Sequence, residues 1–165
     1  MDFSAYEKGN PFMSYNHIQI CKVDPDCCVV KVNLVAESMN LHGHVHGGLL
    51  YAMADCVAGI FARMDGRDYV TQSAHINFLH NVQSGTIFAK AEIIKRGKHM
   101  AYFHISITDQ DDHLLCDGIS IVLIFPILIT HEKTPCKKGI YFIHRNRKKK
   151  AHPNRHAQQS TASCA

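Results

Sequence analysis

The sequence predicts an α+β fold in which an antiparallel six-stranded sheet wraps around one long central helix. The helix, from about residue 46 to 64, is apolar at nearly every position, so other structure must cover it. Two extended segments precede this helix and four follow it. A curled sheet is the layer that can bury such a helix within a chain of 165 residues, a length typical of one domain.

The region before the helix predicts two strands. Residues 1–16 mix polar and aromatic side chains and indicate a short helix or coil. Strands are predicted at 17–22 and 28–35, and a turn with proline and aspartate separates them at 23–26. The second strand alternates valine with polar residues, which is typical of a half-buried strand.

The region after the helix predicts the rest of the sheet. The helix ends before Gly66, which supplies a left-handed cap, and the apolar period then changes to two. Short polar turns separate the segments, so the last four strands are expected to be consecutive antiparallel neighbours joined by hairpins. These strands are predicted at 69–79, 86–95, 99–108 and 113–125.

The charge of the chain changes at about residue 126. Residues 1–126 hold 9 Lys/Arg and 13 Asp/Glu, a net charge of −4, whereas residues 127–165 hold 9 and 1, a net charge of +8. We therefore predict a folded domain at 1–126 and a basic, disordered C-terminal tail at 127–165. Because the basic charge belongs to the tail, the domain is not expected to need a nucleic-acid partner.

Cysteine usage and the first residues predict a cytoplasmic protein. Seven cysteines, with Cys27 and Cys28 adjacent, make a poor disulfide framework, and no secretory signal is evident at the start. The apolar helix is interrupted by Asp55 and Gly59 and is short for a membrane span of about 20 residues, so no membrane contact is expected.

One carboxylate in the apolar helix indicates a catalytic site. Asp55 is costly to bury as an ion unless it is paired or hydrogen-bonded. The helix begins at Gly47 and Gly48, where unpaired backbone N–H groups and the positive end of the helix dipole suit a developing oxyanion. A metal site is not expected, because His42, His44 and His46 lack the further ligands of a closed zinc site.

This motif resembles that of the PaaI-like acyl-CoA thioesterases, which have the hotdog fold. The likeness covers about residues 10–125. It is carried by His46-Gly47-Gly48 with Asp55 seven residues after the second glycine, by Asn40 six residues before His46, by the strand at 70–78, and by Lys95-Arg96-Gly97-Lys98. The resemblance implies an active unit that is at least a dimer, and a tetramer is expected.

The resemblance also implies roles for residues of this chain. Asp55 would activate the attacking water or attack the thioester itself, and the Gly47 N–H would polarise the thioester carbonyl. Asn40 and His46 would position the acyl group or the water, and Ser73 would assist from the neighbouring strand. Coenzyme A would be part of the substrate rather than a cofactor, and its phosphates would contact Lys95, Arg96, Gly97 and Lys98.

The spacing of two of these residues predicts a shared site. Eight residues separate Gly47 from Asp55, about 12 Å along a helix. Both residues of one chain therefore cannot contact the same thioester carbonyl. If they cooperate, the helix of a second subunit must lie antiparallel alongside, and two-fold symmetry then generates two equal sites.

The expected function is hydrolysis of an aryl or medium-chain acyl-CoA to the free acid and CoA. Two alternatives stay open, a non-catalytic acyl- or CoA-binding hotdog protein and an enoyl-CoA hydratase. The hydratases of this fold pair the aspartate with a histidine five residues on, where this chain has Ile60. Five apolar residues are candidates for the acyl pocket: Tyr51, Met53, Ile76, Phe78 and Leu79.

Overall fold

The computed structural model describes residues 3–125, which form three α-helices and one six-stranded sheet. The helices are α1 (Phe3–Lys8), α2 (Pro11–Tyr15) and α3 (Gly47–Ala62). The strands are β1 (Gln19–Val23), β2 (Cys27–Asn33), β3 (Tyr69–Phe78), β4 (Thr86–Arg96), β5 (Met100–Asp109) and β6 (Leu114–Ile124). The predicted α+β fold is confirmed, and the predicted tail at 127–165 lies outside the described residues.

The order of the strands corrects one prediction. All neighbours are antiparallel, in the order β1-β2-β4-β5-β6-β3, so β3 pairs with β6 and not with β4. Residues 79–85 do not close a hairpin, because they cross the start of α3 on the way to the other side of the sheet. On that path the Val82 carbonyl accepts from the Val45 N–H, and the Gly85 carbonyl accepts from the Leu34 N–H after β2.

Helix α3 is the core helix that the sequence predicts. It contacts strands β2 to β6, and nine of its sixteen residues are buried. With the 3₁₀ turn that follows, the segment Gly47–Asp65 is long and apolar enough by composition to cross a membrane, but its apolar side faces the sheet. A left-handed Gly66 ends it, as predicted.

The other side of α3 is incompletely covered. The residues there are small apart from Tyr51, which is 41% exposed. They are Gly47, Gly48, Tyr51, Ala52, Asp55, Cys56 and Gly59, and each is exposed or half-buried. The sheet therefore covers one side of the helix as predicted, and the other face stays accessible within the described chain.

Strand β3 forms a free edge of the sheet in the described chain. Its neighbour β6 carries Gly118, and a Cβ atom at that position would overlap the carbonyl oxygen of His75 on β3. The glycine therefore permits the close approach of the two strands. Along this edge Val70, Phe78 and Leu79 are exposed apolar residues.

The N-terminal helices lie next to the accessible face of α3. Asn10 caps α2 by accepting from the Met13 N–H at 3.2 Å, and Pro11 takes the first helical position. Met13 is 0% exposed and anchors α2 in the core. Its neighbours Phe12 and Tyr15 stay largely exposed on either side of that anchor.

Candidate active site

The start of α3 has three bonded backbone donors and one free one. His46 is the N-cap residue, and its Nδ1 accepts from the Gly48 N–H at 2.9 Å. The Leu49 and Leu50 N–H groups bond the His46 carbonyl at 2.9 and 3.4 Å. Within residues 3–125 the Gly47 N–H has no acceptor, so it is the donor that remains available to a ligand.

Gly47 and Gly48 differ in what a side chain at each position would contact. A Cβ at Gly48 would lie 2.9 Å from His46 Nδ1, so the second glycine lets the imidazole reach its cap position. A Cβ at Gly47 would make ordinary contacts with the Phe78 ring, at 3.5 and 3.7 Å. Gly47 is therefore not required for packing within the chain, and its open backbone fits the close approach of a ligand.

Asn40 organises the loop that leads into the helix. Its Oδ1 accepts from the N–H groups of His42 at 2.8 Å and His44 at 3.2 Å. The His44 Nδ1 in turn lies 3.1 Å from the His42 carbonyl oxygen. The three alternating histidines of this loop therefore serve local turns and the helix cap.

Asp55 is half-buried on α3 and has one side-chain partner among the described residues. The Thr71 hydroxyl on β3 donates to Asp55 Oδ1 at 2.6 Å, which leaves Oδ2 without a hydrogen bond there. The next residue on the helix is not a competing nucleophile. Burial, aided by the charge of Asp55, raises the pKa of Cys56 to about 12, so its thiol stays protonated at neutral pH.

Thr71 is the site residue that the sequence analysis missed. The prediction placed Ser73 beside Asp55, but no hydrogen bond joins Ser73 to Asp55 within the described chain. The pairing of β3 with β6 shifts its register between Thr71 and Ser73. Such a shift changes which residues meet a neighbouring element, and the Thr-Gln-Ser sequence does not reveal it.

The end of α3 is held by arginines. The Arg96 Nη1 donates to Asp65 Oδ2 at 2.6 Å and to the Ala62 carbonyl at 2.9 Å, and its Nη2 donates to the Phe61 carbonyl at 3.3 Å. Arg63 bonds the Gly59 carbonyl at 2.8 Å and reaches β3 through the Tyr69 carbonyl. The guanidinium of Arg96 is thus occupied by the helix end and by an acid.

Asp65 is the ion-pair centre of this network. Its burial would raise the pKa of the carboxyl group, but hydrogen bonds from Arg67 and Tyr69, and then the charge of Arg96, outweigh that effect. The pKa of Asp65 is therefore held well below its usual range. The sequence carried no signal for this cluster, because basic residues in a hairpin suit a helix end and a phosphate equally.

The other residues predicted to contact coenzyme A lie in the β4–β5 hairpin. Lys95 and Lys98 are exposed and form no ion pair among residues 3–125. The Gly97 N–H is bonded to the Met100 carbonyl at 2.8 Å, which closes the hairpin. Of the four predicted residues, the two lysines are those with free donors.

Two cavities flank the accessible face of α3. A groove of about 650 Å³ lies between α2 and the first turns of α3, and its wall includes His46 and Gly48. A depression of about 360 Å³ further along the helix includes Asp55 and Thr71. None of the five residues suggested for an acyl pocket lines either cavity, and Met53 is fully buried in the core.

The position where a hydratase would carry its histidine is part of the core. Ile60 is 0% exposed, so this side chain cannot act on a ligand. The arrangement therefore offers one half-buried acid, one free backbone donor and two cavities. This set suits addition of water to an activated carbonyl.

Known proteins are similar to this chain in sequence. The model of the thioesterase superfamily matches residues 42–116. The 1,4-dihydroxy-2-naphthoyl-CoA hydrolase of Listeria monocytogenes is 31% identical over 102 residues, which cover 60% of this chain and 83% of that protein. The acyl-coenzyme A thioesterase PaaI of Escherichia coli is 30% identical over 94 residues, covering 56% and 67%.

Solved structures show the same fold. The E. coli PaaI structure superposes with a TM-score of 0.72 at 22% identity, over 76% of this chain and 91% of that one. A hypothetical thioesterase of Streptococcus pneumoniae, solved with coenzyme A, gives a TM-score of 0.63 at 24% identity, over 68% and 96%. The predicted hotdog fold is confirmed by these structures. The chain belongs to the thioesterase superfamily and is a thioester hydrolase.

Proposed function

We propose that the protein hydrolyses aryl or medium-chain acyl-CoA thioesters at sites shared between two subunits. The observation that carries this proposal is the contrast along α3 between the free Gly47 N–H and the Asp55 carboxylate held by Thr71. One supplies an oxyanion donor and the other supplies a base. Because eight residues, about 12 Å of helix, separate them, we place them in different sites of a dimer.

The reaction starts with the carbonyl oxygen of the thioester on the Gly47 N–H. Negative charge develops on that oxygen as water adds, and the helix start stabilises it. Asp55 of the other subunit takes a proton from the water through Oδ2, while Thr71 keeps Oδ1 in place. Collapse of the tetrahedral intermediate then breaks the C–S bond. The proton held by Asp55 passes to the departing CoA thiolate, which restores the carboxylate and leaves the free acid.

The residues around the helix start position this oxygen and the water. With His46 Nδ1 accepting from Gly48, a neutral imidazole carries its proton on Nε2, where it can donate to the acyl group or to water. Asn40 shapes the approach through the loop that it holds. Both residues therefore position the acyl group or the water, as the resemblance implies.

Two surfaces support the shared site. The open face of α3 carries small residues that allow a second helix to approach closely, and β3 is a free edge ten residues long with exposed apolar side chains. Antiparallel pairing of two β3 edges would place the two α3 helices antiparallel. That arrangement brings Asp55 of each subunit toward Gly47 of the other, and pairs of dimers would form the expected tetramer.

The β4–β5 hairpin is proposed to bind the phosphates of coenzyme A. Lys95 and Lys98 supply free ammonium groups there. Arg67 lies beside this hairpin, with Nη1 3.5 Å from the Lys98 carbonyl oxygen, and adds positive charge. Arg96 contributes by holding the hairpin against the end of α3.

The test combines single variants with mixed dimers. Asp55→Asn keeps the side-chain shape and removes the base, so kcat should fall by about a thousandfold. Mixing Asp55→Asn chains with Gly47→Val chains should restore activity, because one of the two sites in each heterodimer then carries both native residues.

The controls are wild-type protein taken through the same mixing procedure and each of the two variants alone. Heterodimers that form but stay inactive would contradict the shared site. Wild-type protein that folds but releases no thiol from a panel of acyl-CoAs would contradict the proposed substrate class.

A further inference from the structure

We propose that the acyl group of the substrate lies in the groove between α2 and the first turns of α3, and that Phe12 determines how long an acyl group fits. This inference rests on the proposed thioesterase function and deepens it, because it assigns the part of the chain that selects the substrate.

The groove adjoins the free donor of the helix start. Its wall includes His46 and Gly48, the residues on either side of Gly47. The acyl chain of a thioester is bonded directly to the carbonyl carbon. An acyl chain whose carbonyl oxygen accepts from the Gly47 N–H must therefore continue into a space beside these residues, and the groove is such a space.

The lining of the groove suits a hydrocarbon. Its apolar part comes from α2, from the segment before α3 and from α3 itself: Phe12, Tyr15, Val35, Leu49 and Ala52. Its volume of about 650 Å³ is within the range of small-molecule sites. Polar side chains such as Ser38 and His46 belong to the same lining and stand near the helix start, where the thioester would lie.

Phe12 is common to the lining of this groove and of the depression that holds Asp55. Its side chain therefore stands where the two cavities adjoin. The helix that carries Phe12 is held in place, because the adjacent Met13 is buried and Asn10 caps the helix. Removal of the ring should join the two cavities and lengthen the space available to an acyl chain.

Ala52 offers the opposite change. It lies on the half-buried side of α3, in the wall of the groove and five residues beyond Gly47. A phenylalanine at this position would fill the groove without adding a polar group. Because Ala52 also lies on the face that a second helix would approach, the effect is read as a ratio between two substrates, which a general loss of activity does not change. The pair Phe12→Ala and Ala52→Phe should therefore shift acyl preference in opposite directions.

The experiment measures kcat/KM for straight-chain acyl-CoAs from acetyl to dodecanoyl. In the wild type each methylene that enters the groove should raise kcat/KM by up to about fourfold, until the groove is filled. Phe12→Ala should move the optimum to longer chains. Ala52→Phe should lower the ratio of decanoyl-CoA to acetyl-CoA hydrolysis by about tenfold or more.

Phe125→Ala is the matched control. Phe125 is 54% exposed, as Phe12 is 53% exposed, and it does not line the groove. This control should keep the wild-type profile. If Phe12→Ala and Ala52→Phe also keep that profile, the groove does not hold the acyl chain, although the thioesterase function stands.

A binding measurement separates the two proposals. Titration calorimetry of the Asp55→Asn variant with acetyl-CoA, octanoyl-CoA and dodecanoyl-CoA should show affinity that rises with chain length, and Ala52→Phe in the same background should abolish the rise. Affinity independent of chain length would contradict the proposal that the groove binds the acyl chain. Chain-length-dependent binding by a wild-type protein that hydrolyses none of these thioesters would support that proposal and refute the proposed substrate class.

Discussion

The two ends of α3 differ in how completely their backbone groups are bonded. At the C-terminal end, Arg96 and Arg63 bond carbonyl groups of the last turns, and Asp65 neutralises the charge that they bring. At the N-terminal end, His46 bonds one N–H and leaves that of Gly47 without an acceptor in the described chain. A helix end whose carbonyl groups are bonded by arginines stabilises the fold, whereas one with a free donor can act on a ligand.

Of the changes at the two ends of α3, blocking the free donor should have the largest effect. Gly47→Ala adds a methyl group that makes only ordinary contacts with Phe78, so the fold should keep its stability. The same methyl group would keep an acyl carbonyl away from the N–H, and kcat/KM should fall by about a hundredfold. Thiol release from an acyl-CoA measures this loss.

The control is the same substitution near the bonded end of the helix. Gly59→Ala places its methyl group 3.3 Å from Arg63 Nη1, so only the end of that side chain has to shift by a small amount. Its kcat/KM should stay within about threefold of the wild type. Equal losses in the two variants would mean that the helix start has no special role.

The next effect is on stability at the bonded end. Arg96→Met keeps the aliphatic stem but removes the donors, which leaves Asp65 with fewer partners and takes away the side-chain bonds to the Phe61 and Ala62 carbonyls. The free energy of unfolding should fall by about 2 kcal/mol, as measured by urea denaturation. Lys95→Met, at an exposed position without an ion pair among residues 3–125, should leave it unchanged.

The same pair of variants tests the coenzyme A contact. We expect Lys95→Met to raise KM for acyl-CoA and Arg96→Met to change it less. A larger rise in KM for Arg96→Met than for Lys95→Met would show that Arg96 contacts the substrate as well as the helix.

A smaller effect should appear as pH falls. Because the pKa of Asp65 is lowered by folding, this carboxylate stabilises the protein above the unfolded value of 3.8, and that contribution is lost as pH falls below it. The free energy of unfolding should therefore decline below about pH 4 more steeply in the wild type than in Asp65→Asn. Parallel pH profiles of the two proteins would contradict the assignment.

The smallest expected effect concerns the middle of the helix, where Asp55 has one partner. Thr71→Val removes the hydroxyl group that holds Oδ1 and should lower kcat by about fivefold. Ser73→Ala is the matched comparison and should lower it less, since Ser73 does not bond Asp55. The reverse order would restore the role that the sequence assigned to Ser73.

The sequence predicts where the helix and strands of this fold lie better than it predicts which strands pair. Hydrophobic period alone places α3 and the six strands within a few residues of their observed bounds. The pairing of β3 with β6 escapes prediction, because an alternating strand looks the same whichever strand lies beside it. Its position depends on the crossing at 79–85, which the turn residues Gln83-Ser84-Gly85 do not distinguish from a hairpin.

The candidate site divides in the same way. Asp55, Gly47 and His46 are marked by their spacing at a helix start, which is local information. Thr71 and Arg96 take their partners from contacts across the chain, with Asp55 sixteen residues away and Asp65 thirty-one residues away. A register shift in one strand and the path of a hairpin decide those contacts, and neither has a sequence signal.

The absence of a side chain at Gly118 affects the position of Asp55, although Gly118 does not contact that residue. Any larger residue there would push β3 off the sheet at His75, a few positions from the threonine that steadies the carboxylate. A substitution in β6, away from the reacting groups, would thus inactivate the enzyme while leaving each of those groups in the sequence. A screen for inactive variants should recover substitutions at position 118 as well as at the site residues of α3.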